Sequence, residues 1–177
     1  MDNDLSRRDL IKLGAAATLA ASLGVGEALT AQSSAPLFFT PEEFALVDEL
    51  SEMIIPTDDH SPGARAAKVT AYIDARLKEA WDETAKAQWR DGLKLVQQLS
   101  AETNGRPFLQ SAPGERLAIL SRIAQNERTP TKPEELFFAE LKSRVVHAYY
   151  TSEIGIRHEM EYKGNSYLSE FVGSDVS

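Results

Sequence analysis

The amino-acid sequence predicts an all-α fold, with a single helical domain of about five helices behind an N-terminal signal peptide. Three observations support this prediction. Apolar residues recur at helical spacing along successive segments, and clusters of Pro, Gly, Ser and Asn separate those segments. No segment alternates apolar and polar residues as a half-buried strand does. We expect the domain to end in an ordered but irregular, aromatic C-terminal tail.

Residues 1–31 have the order of features that defines an export leader. Arg7 and Arg8 lie in a basic start, a modestly apolar run covers residues 13–25, and small residues surround a plausible cleavage point after Ala31. The apolar run is shorter than the roughly 20 residues that span a bilayer, so we do not expect a permanent membrane helix.

The segment SRRDLIK within this leader matches the twin-arginine export motif almost position by position. We therefore predict a twin-arginine (Tat) signal peptide over residues 1–31, with Arg7 and Arg8 as its export signal. Residues 32–177 form the predicted helical domain. The twin-arginine route carries cargo that has already folded, often around a cofactor.

The first helix has a clear beginning and end. Thr40 can cap it, Pro41 suits its first turn, and Glu43 completes a capping box. Pro56 ends it, and the polar loop TDDHSPGA follows. The apolar stripe expected to face the core is Phe44, Val47, Leu50 and Ile54.

Two further helices are predicted over about residues 64–81 and 83–102, with Gly105 as the C-cap of the second. The inward positions of the first are Val69, Ile73, Leu77 and either Ala80 or Trp81. Those of the second are Trp89, Leu93, Val96 and Leu99.

The last two helices follow polar breaks. Ser111 is the predicted cap of the fourth helix, and Thr131 or Pro133 opens the fifth, the longest apolar segment. After Gly155 the helical pattern stops, and Gly164 begins a turn in the tail. The inward positions of the fourth helix are Leu117, Leu120 and either Ile123 or Ala124.

Composition excludes several functions. A net charge of −8 disfavours contact with phosphate backbones, so we expect no nucleic-acid partner. The chain has no cysteine, which rules out disulfides, iron–sulfur ligation, covalent c-type haem and a thiol nucleophile.

Catalytic motifs are also missing from the sequence, which lacks a Rossmann fingerprint, a P-loop and a nucleophile elbow. The histidines, His60, His147 and His158, do not form a pair at the spacing of a helical metal site. His60 follows two aspartates and precedes Ser61, but a solvated turn explains this group better than a weak metal site or a triad. We therefore predict no catalytic, cofactor-binding or metal residues, and His147 is expected to pack or to lie at an interface.

Aromatic residues are concentrated near the C-terminus. Aromatic side chains bury large areas and dominate the energetics of interfaces. Such a cluster indicates either packing of the tail on the core or a docking surface, and different faces of one tail can do both. The cluster comprises Tyr149, Tyr150, Tyr162, Tyr167 and Phe171.

Two segments, together with the leader, resemble the gluconate 2-dehydrogenase subunit 3 family, also called the gamma or small subunit. Residues 38–74 read FFTPEEFALVDELSEMIIPTDDHSPGARAAKVTAYID, and residues 149–171 read YYTSEIGIRHEMEYKGNSYLSEF. The region between them is similar mainly in its helical pattern. Relatives often have a Pro-rich, Cys-bearing end, whereas this chain ends in FVGSDVS, so any disulfide there cannot form.

The resemblance implies a non-catalytic small subunit of a heteromeric, FAD-dependent sugar or polyol dehydrogenase. In that family the catalytic subunit holds FAD and commonly lacks its own leader, so the small subunit binds it when folded and presents it to the Tat translocon. A multihaem cytochrome c often forms a third subunit. The implied location is the periplasm, with membrane association through partner subunits. Candidate docking residues are Pro56, Asp58, Tyr149, Tyr150, Tyr162, Tyr167 and Phe171.

Two other hypotheses remain open at the level of sequence. One is a free-standing enzyme with an unrecognised site at Asp58, His60 or the tyrosine cluster. The other is a free-standing periplasmic helical module that binds a small ligand.

Overall fold

The computed structural model describes residues 35–162 and residue 164. The predictions for the leader, including Arg7 and Arg8, and for Tyr167 and Phe171 lie outside these residues.

The described part is helical and contains no strand, which confirms the all-α class. Its helices are α1 (Pro41–Ile54), α2 (Val69–Glu79), α3 (Glu83–Asn104), α4 (Pro113–Ile123) and α5 (Pro133–Tyr150), with a 3₁₀ turn at Phe108–Gln110 and a π-helical turn at Gly155–Glu159. In this part of the chain no helix is both long and apolar enough to cross a membrane.

Helix α1 begins as its sequence predicts. The Thr40 hydroxyl accepts a hydrogen bond of 3.1 Å from the backbone N–H of Glu43, and the Glu43 carboxylate accepts one of 2.9 Å from the N–H of Thr40. This reciprocal capping box satisfies N–H groups that the first turn leaves unpaired. Val47 and Leu50 from the predicted stripe are buried.

Helix α2 is shorter than predicted because residues 64–68 form turns before it. Lys68 adopts a left-handed conformation with φ of 56°, which the interior of a right-handed helix does not allow. Ala80 is extended, so the helix ends before Trp81, and Trp81 is 96% exposed rather than inward. Val69, Ile73 and Leu77 are buried as predicted, and Ala80, the alternative to Trp81, is partly buried.

Helix α3 confirms both its core positions and its C-cap. Gly105 has φ of 68°, the left-handed conformation that glycine adopts without steric cost. Asp82 caps the other end by accepting a hydrogen bond of 2.8 Å from the N–H of Thr84. The buried positions include all of the predicted stripe, Trp89, Leu93, Val96 and Leu99.

Helix α4 corrects two predictions. Ala112 rather than Ser111 is the N-cap residue, and its N–H donates a hydrogen bond of 2.7 Å to the Glu115 carboxylate. Ser111 is buried, and its hydroxyl lies 3.1 Å from that of Ser100 on α3 instead of capping the helix. Leu117 is exposed. The core-facing stripe is rotated away from it and consists of Ile119, Leu120 and Ile123.

Helix α5 begins at Pro133 as predicted and is the centre of the domain, in contact with each of the other four α-helices. Phe137 packs edge-on against Trp89, with ring centroids 5.8 Å apart. On the other side of Trp89 lies Phe39, at 5.9 Å. Gly92 makes this packing possible, because a Cβ there would overlap the Phe137 ring.

The chain after α5 differs from the irregular tail expected beyond Gly155. The N–H of Met160 donates to the Gly155 carbonyl at 3.0 Å, which is the i to i+5 bond of a π-helical turn. Gly155 is required at this point, since a Cβ would overlap the backbone carbonyl of Tyr149. The described start of the tail is therefore folded back against the end of α5.

Candidate functional site

The loop between α1 and α2 is organised around the carboxylate of Glu52. One oxygen of Glu52 accepts hydrogen bonds from the N–H and hydroxyl of Thr57, at 3.1 and 3.0 Å. The other accepts one of 2.8 Å from the N–H of Arg65. Burial by itself raises the pKa of Glu52, but the hydrogen bonds from Arg65 and Thr57 and the charge of Arg65 outweigh it, so the pKa is lowered.

Asp58 closes a tight turn within this loop. Its carboxylate accepts hydrogen bonds of 2.8 Å from the N–H groups of both His60 and Ser61. These bonds favour the ionised form and so lower the pKa of Asp58, and the bond from Ser61 has the larger effect. The loop shape is thus fixed by its own side chains, with Pro56 exposed at its start.

Tyr149 joins the loop to α5. Its hydroxyl donates to the carbonyl oxygen of Pro62 at 2.8 Å, so the Ser61 hydroxyl, 2.7 Å away, must donate to Tyr149. Tyr149 is only 1% exposed. This candidate docking residue is therefore part of the core, and its contribution to a surface is to hold the loop in place.

Tyr150 lies beside the loop and is 38% exposed. Its ring packs edge-on against Tyr149 with centroids 5.3 Å apart, and its hydroxyl donates a hydrogen bond of 3.4 Å to the Glu159 carboxylate. Burial first, and then the charge and hydrogen bond of Glu159, raise the pKa of Tyr150. Tyr150 thereby connects the end of α5 with the π-helical turn.

His60 completes the connection between the loop and that turn. Its Nε2 atom lies 3.4 Å from the carbonyl oxygen of Glu159 and donates to it in the tautomer protonated at Nε2. The loop, the end of α5 and the turn thus form one surface. We call it the loop–tail face and define it by its exposed or partly exposed residues, Pro56, Asp58, His60, Tyr150, Glu159, Met160 and Tyr162.

The polar groups of this face are not arranged for nucleophilic catalysis. The Asp58 carboxylate binds the backbone of His60 rather than its ring, and the Ser61 hydroxyl is bonded to Tyr149. A relay needs carboxylate, imidazole and hydroxyl in sequence, and these residues form a turn instead. Over the described ranges, no group of three or more His, Asp or Glu side chains is placed to hold a metal ion.

Close-packed glycines of the domain do not form a cradle for the phosphates of a dinucleotide. At Gly63 a Cβ would lie 2.5 Å from the Thr57 nitrogen, and at Gly92 and Gly155 it would overlap Phe137 and Tyr149. These glycines therefore allow the chain to approach itself, so they do not fit the role of holding FAD.

Sequence reasoning missed Asp74, which anchors the segment before α1. Its carboxylate accepts hydrogen bonds from the backbone N–H groups of Leu37 at 2.6 Å, and of Phe38 and Phe39 at 2.9 Å each. Asp74 is 3% exposed, directly after the core residue Ile73. A carboxylate beside the inward stripe of a helix is the signal that could have identified it, because buried charges need partners.

The family model described as gluconate 2-dehydrogenase subunit 3 matches residues 41–167, which is more than half of the chain. No curated protein matches the chain. No solved structure matches it. The family is one of subunits of a multi-subunit dehydrogenase. The chain belongs to the gluconate 2-dehydrogenase subunit 3 family.

Proposed function

We propose that this chain is the non-catalytic small subunit of a heteromeric FAD-dependent sugar or polyol dehydrogenase. It binds the folded, FAD-containing catalytic subunit and takes it through the Tat translocon to the periplasm. The observation that carries this proposal is the family match over residues 41–167, because the family is one of subunits. The paired Arg7 and Arg8 in the leader support the export role.

The loop–tail face supports a docking role for the folded domain. Its loop is held in shape by Glu52, Asp58 and Tyr149, so the conformational entropy lost when a partner binds is small. Its outer surface offers exposed apolar and aromatic groups, with Met160 at 50% and Tyr162 at 56% exposure. Such residues contribute most of the binding energy at protein interfaces.

The twin-arginine signal directs the export of folded proteins, often with a bound cofactor. Its presence on a small helical domain is explained if the partner subunit holds the cofactor and is exported together with this chain. The close-packed glycines face their own chain, which supports placing FAD in the catalytic subunit rather than here. A multihaem cytochrome c is a further proposed partner, and membrane association would then come from partner subunits.

Purification of the tagged full chain from periplasmic and membrane fractions tests this proposal. We expect a larger chain to copurify and a flavin absorbance spectrum to accompany it. Tyr150→Ala on the loop–tail face should lower the yield of flavin, whereas Leu117→Ala, an exposed apolar position on α4, should not. A colourless single chain from both fractions would contradict the proposal.

A further inference from the structure

A small cavity lies between α2, α3 and α5, and the loop–tail residues do not line it. Its volume is about 100 Å³. The buried side chains of Ile73 and Leu77 line it, together with Trp89. Its polar lining comes from α2 and α5 and consists of Tyr72, Arg76, Arg144 and His147.

The Tyr72 ring lies close to two of these basic groups. The guanidinium carbon of Arg76 is 5.5 Å from the centre of the ring, a distance at which cation–π attraction operates. The His147 ring is 6.3 Å from that of Tyr72. The Arg76 and His147 side chains therefore lie on either helix beside one aromatic ring.

The ionic side chains that line the cavity are basic, although each arginine pairs with a glutamate outside the lining. The chain has a net charge of −8, yet among the described residues no carboxylate lines this cavity. Glu79 pairs with Arg76 at 3.1 Å and Glu140 pairs with Arg144 at 2.8 Å, and in both pairs each side chain is about half exposed or more. Exposed pairs of this kind contribute little, so a carboxylate from outside can replace them.

We propose that this cavity is a docking site for a Glu or Asp side chain presented by a protein partner. Arg76 and Arg144 can each donate paired hydrogen bonds to a carboxylate, and the volume suits one side chain. A bilayer surface fits less well, because a cavity of about 100 Å³ admits a single side chain rather than an extended surface.

Trp81 supports a protein partner at this location. It directly follows Ala80, which lines the cavity, and it is 96% exposed. Tryptophan is enriched among the residues that dominate interface energetics, and a fully exposed one costs free energy unless it is covered.

The cavity also adjoins the loop–tail face. His147 and Tyr150 are three residues apart on α5 and both are exposed, so they are neighbours on the helix surface. The inference rests on the proposed function only for the identity of the partner, which would present an acidic side chain beside the loop–tail contact.

The test titrates the full chain with fluorescently labelled hexaglutamate and uses hexaglutamine as the neutral probe. We expect only hexaglutamate to bind and to shift the NMR signals of the Tyr72 and His147 rings. Arg76→Gln with Arg144→Gln should weaken binding by on the order of tenfold. Lys94→Gln with Lys142→Gln removes the same charge from two other ion pairs and should change binding less than about twofold.

Equal weakening in both double variants would overturn the inference, because attraction would then depend on net charge alone. Hexaglutamate without effect on the Tyr72 and His147 signals would also overturn it. A third result would also overturn it: the chain binds phosphatidylglycerol vesicles but not hexaglutamate, and the arginine variant no longer binds the vesicles. This assay needs no flavoprotein, so a chain that binds hexaglutamate but copurifies no flavoprotein contradicts the proposed function alone.

Discussion

The Tyr149 hydroxyl on α5 donates a hydrogen bond of 2.8 Å to the Pro62 carbonyl in the α1–α2 loop, and the two residues are 87 positions apart. The same hydroxyl accepts from Ser61 at 2.7 Å. One buried hydroxyl therefore ties the loop to α5. Both residues lie within the span 41–167 that matches the family model.

Tyr149→Phe should destabilise the domain and loosen the loop. It removes the closest partner of the Pro62 carbonyl and of the buried Ser61 hydroxyl and leaves them only their mutual contact of 3.5 Å, and poor pairing of buried polar groups costs about 1–3 kcal/mol. The free energy of unfolding in urea measures the loss. Tyr150→Phe is the matched control, because its hydroxyl makes only a 3.4 Å bond on the surface. Equal losses in the two variants would mean that the buried hydroxyl does not hold the loop.

Gly155→Ala should displace the π-helical turn from α5. The new methyl group would overlap the Tyr149 carbonyl, which is rigid backbone, and overpacking of this kind typically costs about 1–3 kcal/mol. Gly114→Ala makes the same substitution near the start of α4, where nothing lies within 4 Å, and should be neutral or slightly stabilising. Thermal unfolding of both variants measures the contrast, and a Gly155→Ala protein as stable as Gly114→Ala would show that the turn is not packed as described.

Glu135 should contribute a pH-dependent part of the stability. Its carboxylate accepts hydrogen bonds from the N–H groups of Thr131 at 3.0 Å and Lys132 at 3.1 Å, and from Asn126. These lower its pKa from 4.5 to about 2, with the bond from Thr131 as the largest cause. A lowered folded-state pKa adds stability above pH 4.5, and that contribution is lost as the pH falls from 4.5 towards 2.

Unfolding of Glu135→Gln as a function of pH measures this contribution. The variant should be less stable than the wild type at neutral pH, and the difference should shrink below pH 4.5. Glu134→Gln provides a neighbouring control on the same turn. A difference between Glu135→Gln and wild type that stays constant from neutral pH to pH 2 would contradict the assignment.

Arg7→Lys combined with Arg8→Lys should retain both this chain and its flavoprotein partner in the cytoplasm, because the twin-arginine motif is read as a pair. Fractionation followed by immunoblotting and flavin fluorescence measures the distribution. Lys12→Arg preserves the charge of the leader and should export normally. Continued export of the flavoprotein beside the double variant would show that it uses another signal.

Periodicity predicted most of the helices, because apolar stripes and caps are local properties of the chain. Thr40, Gly105 and Pro133 act as helix boundaries where their sequence neighbourhoods indicate. The inward position predicted for Leu117 was wrong, and of the two alternatives at the end of α2 Trp81 is exposed, because tertiary packing decides where a helix ends and which face turns inward. Spacing alone does not contain that information.

The polar structure of the candidate site was less predictable. The loop residues Pro56 and Asp58 were expected to fix a backbone shape, and the Asp58 carboxylate does bind its own turn. The roles of Asp74 and Tyr149 depend on partners that are distant in sequence, such as Phe38, which lies 36 positions before Asp74. Pairings over such separations become visible only when the helices are assembled.

The two tryptophans of the chain have opposite surroundings, since Trp89 is 2% exposed and Trp81 is 96% exposed. Emission from a buried indole reports on the integrity of the core, whereas emission from an exposed one responds to whatever covers it. Trp89 thus reports whether the domain is folded, and Trp81 reports whether its surroundings are covered. Partner binding and unfolding can be followed in a single fluorescence spectrum of the unlabelled protein.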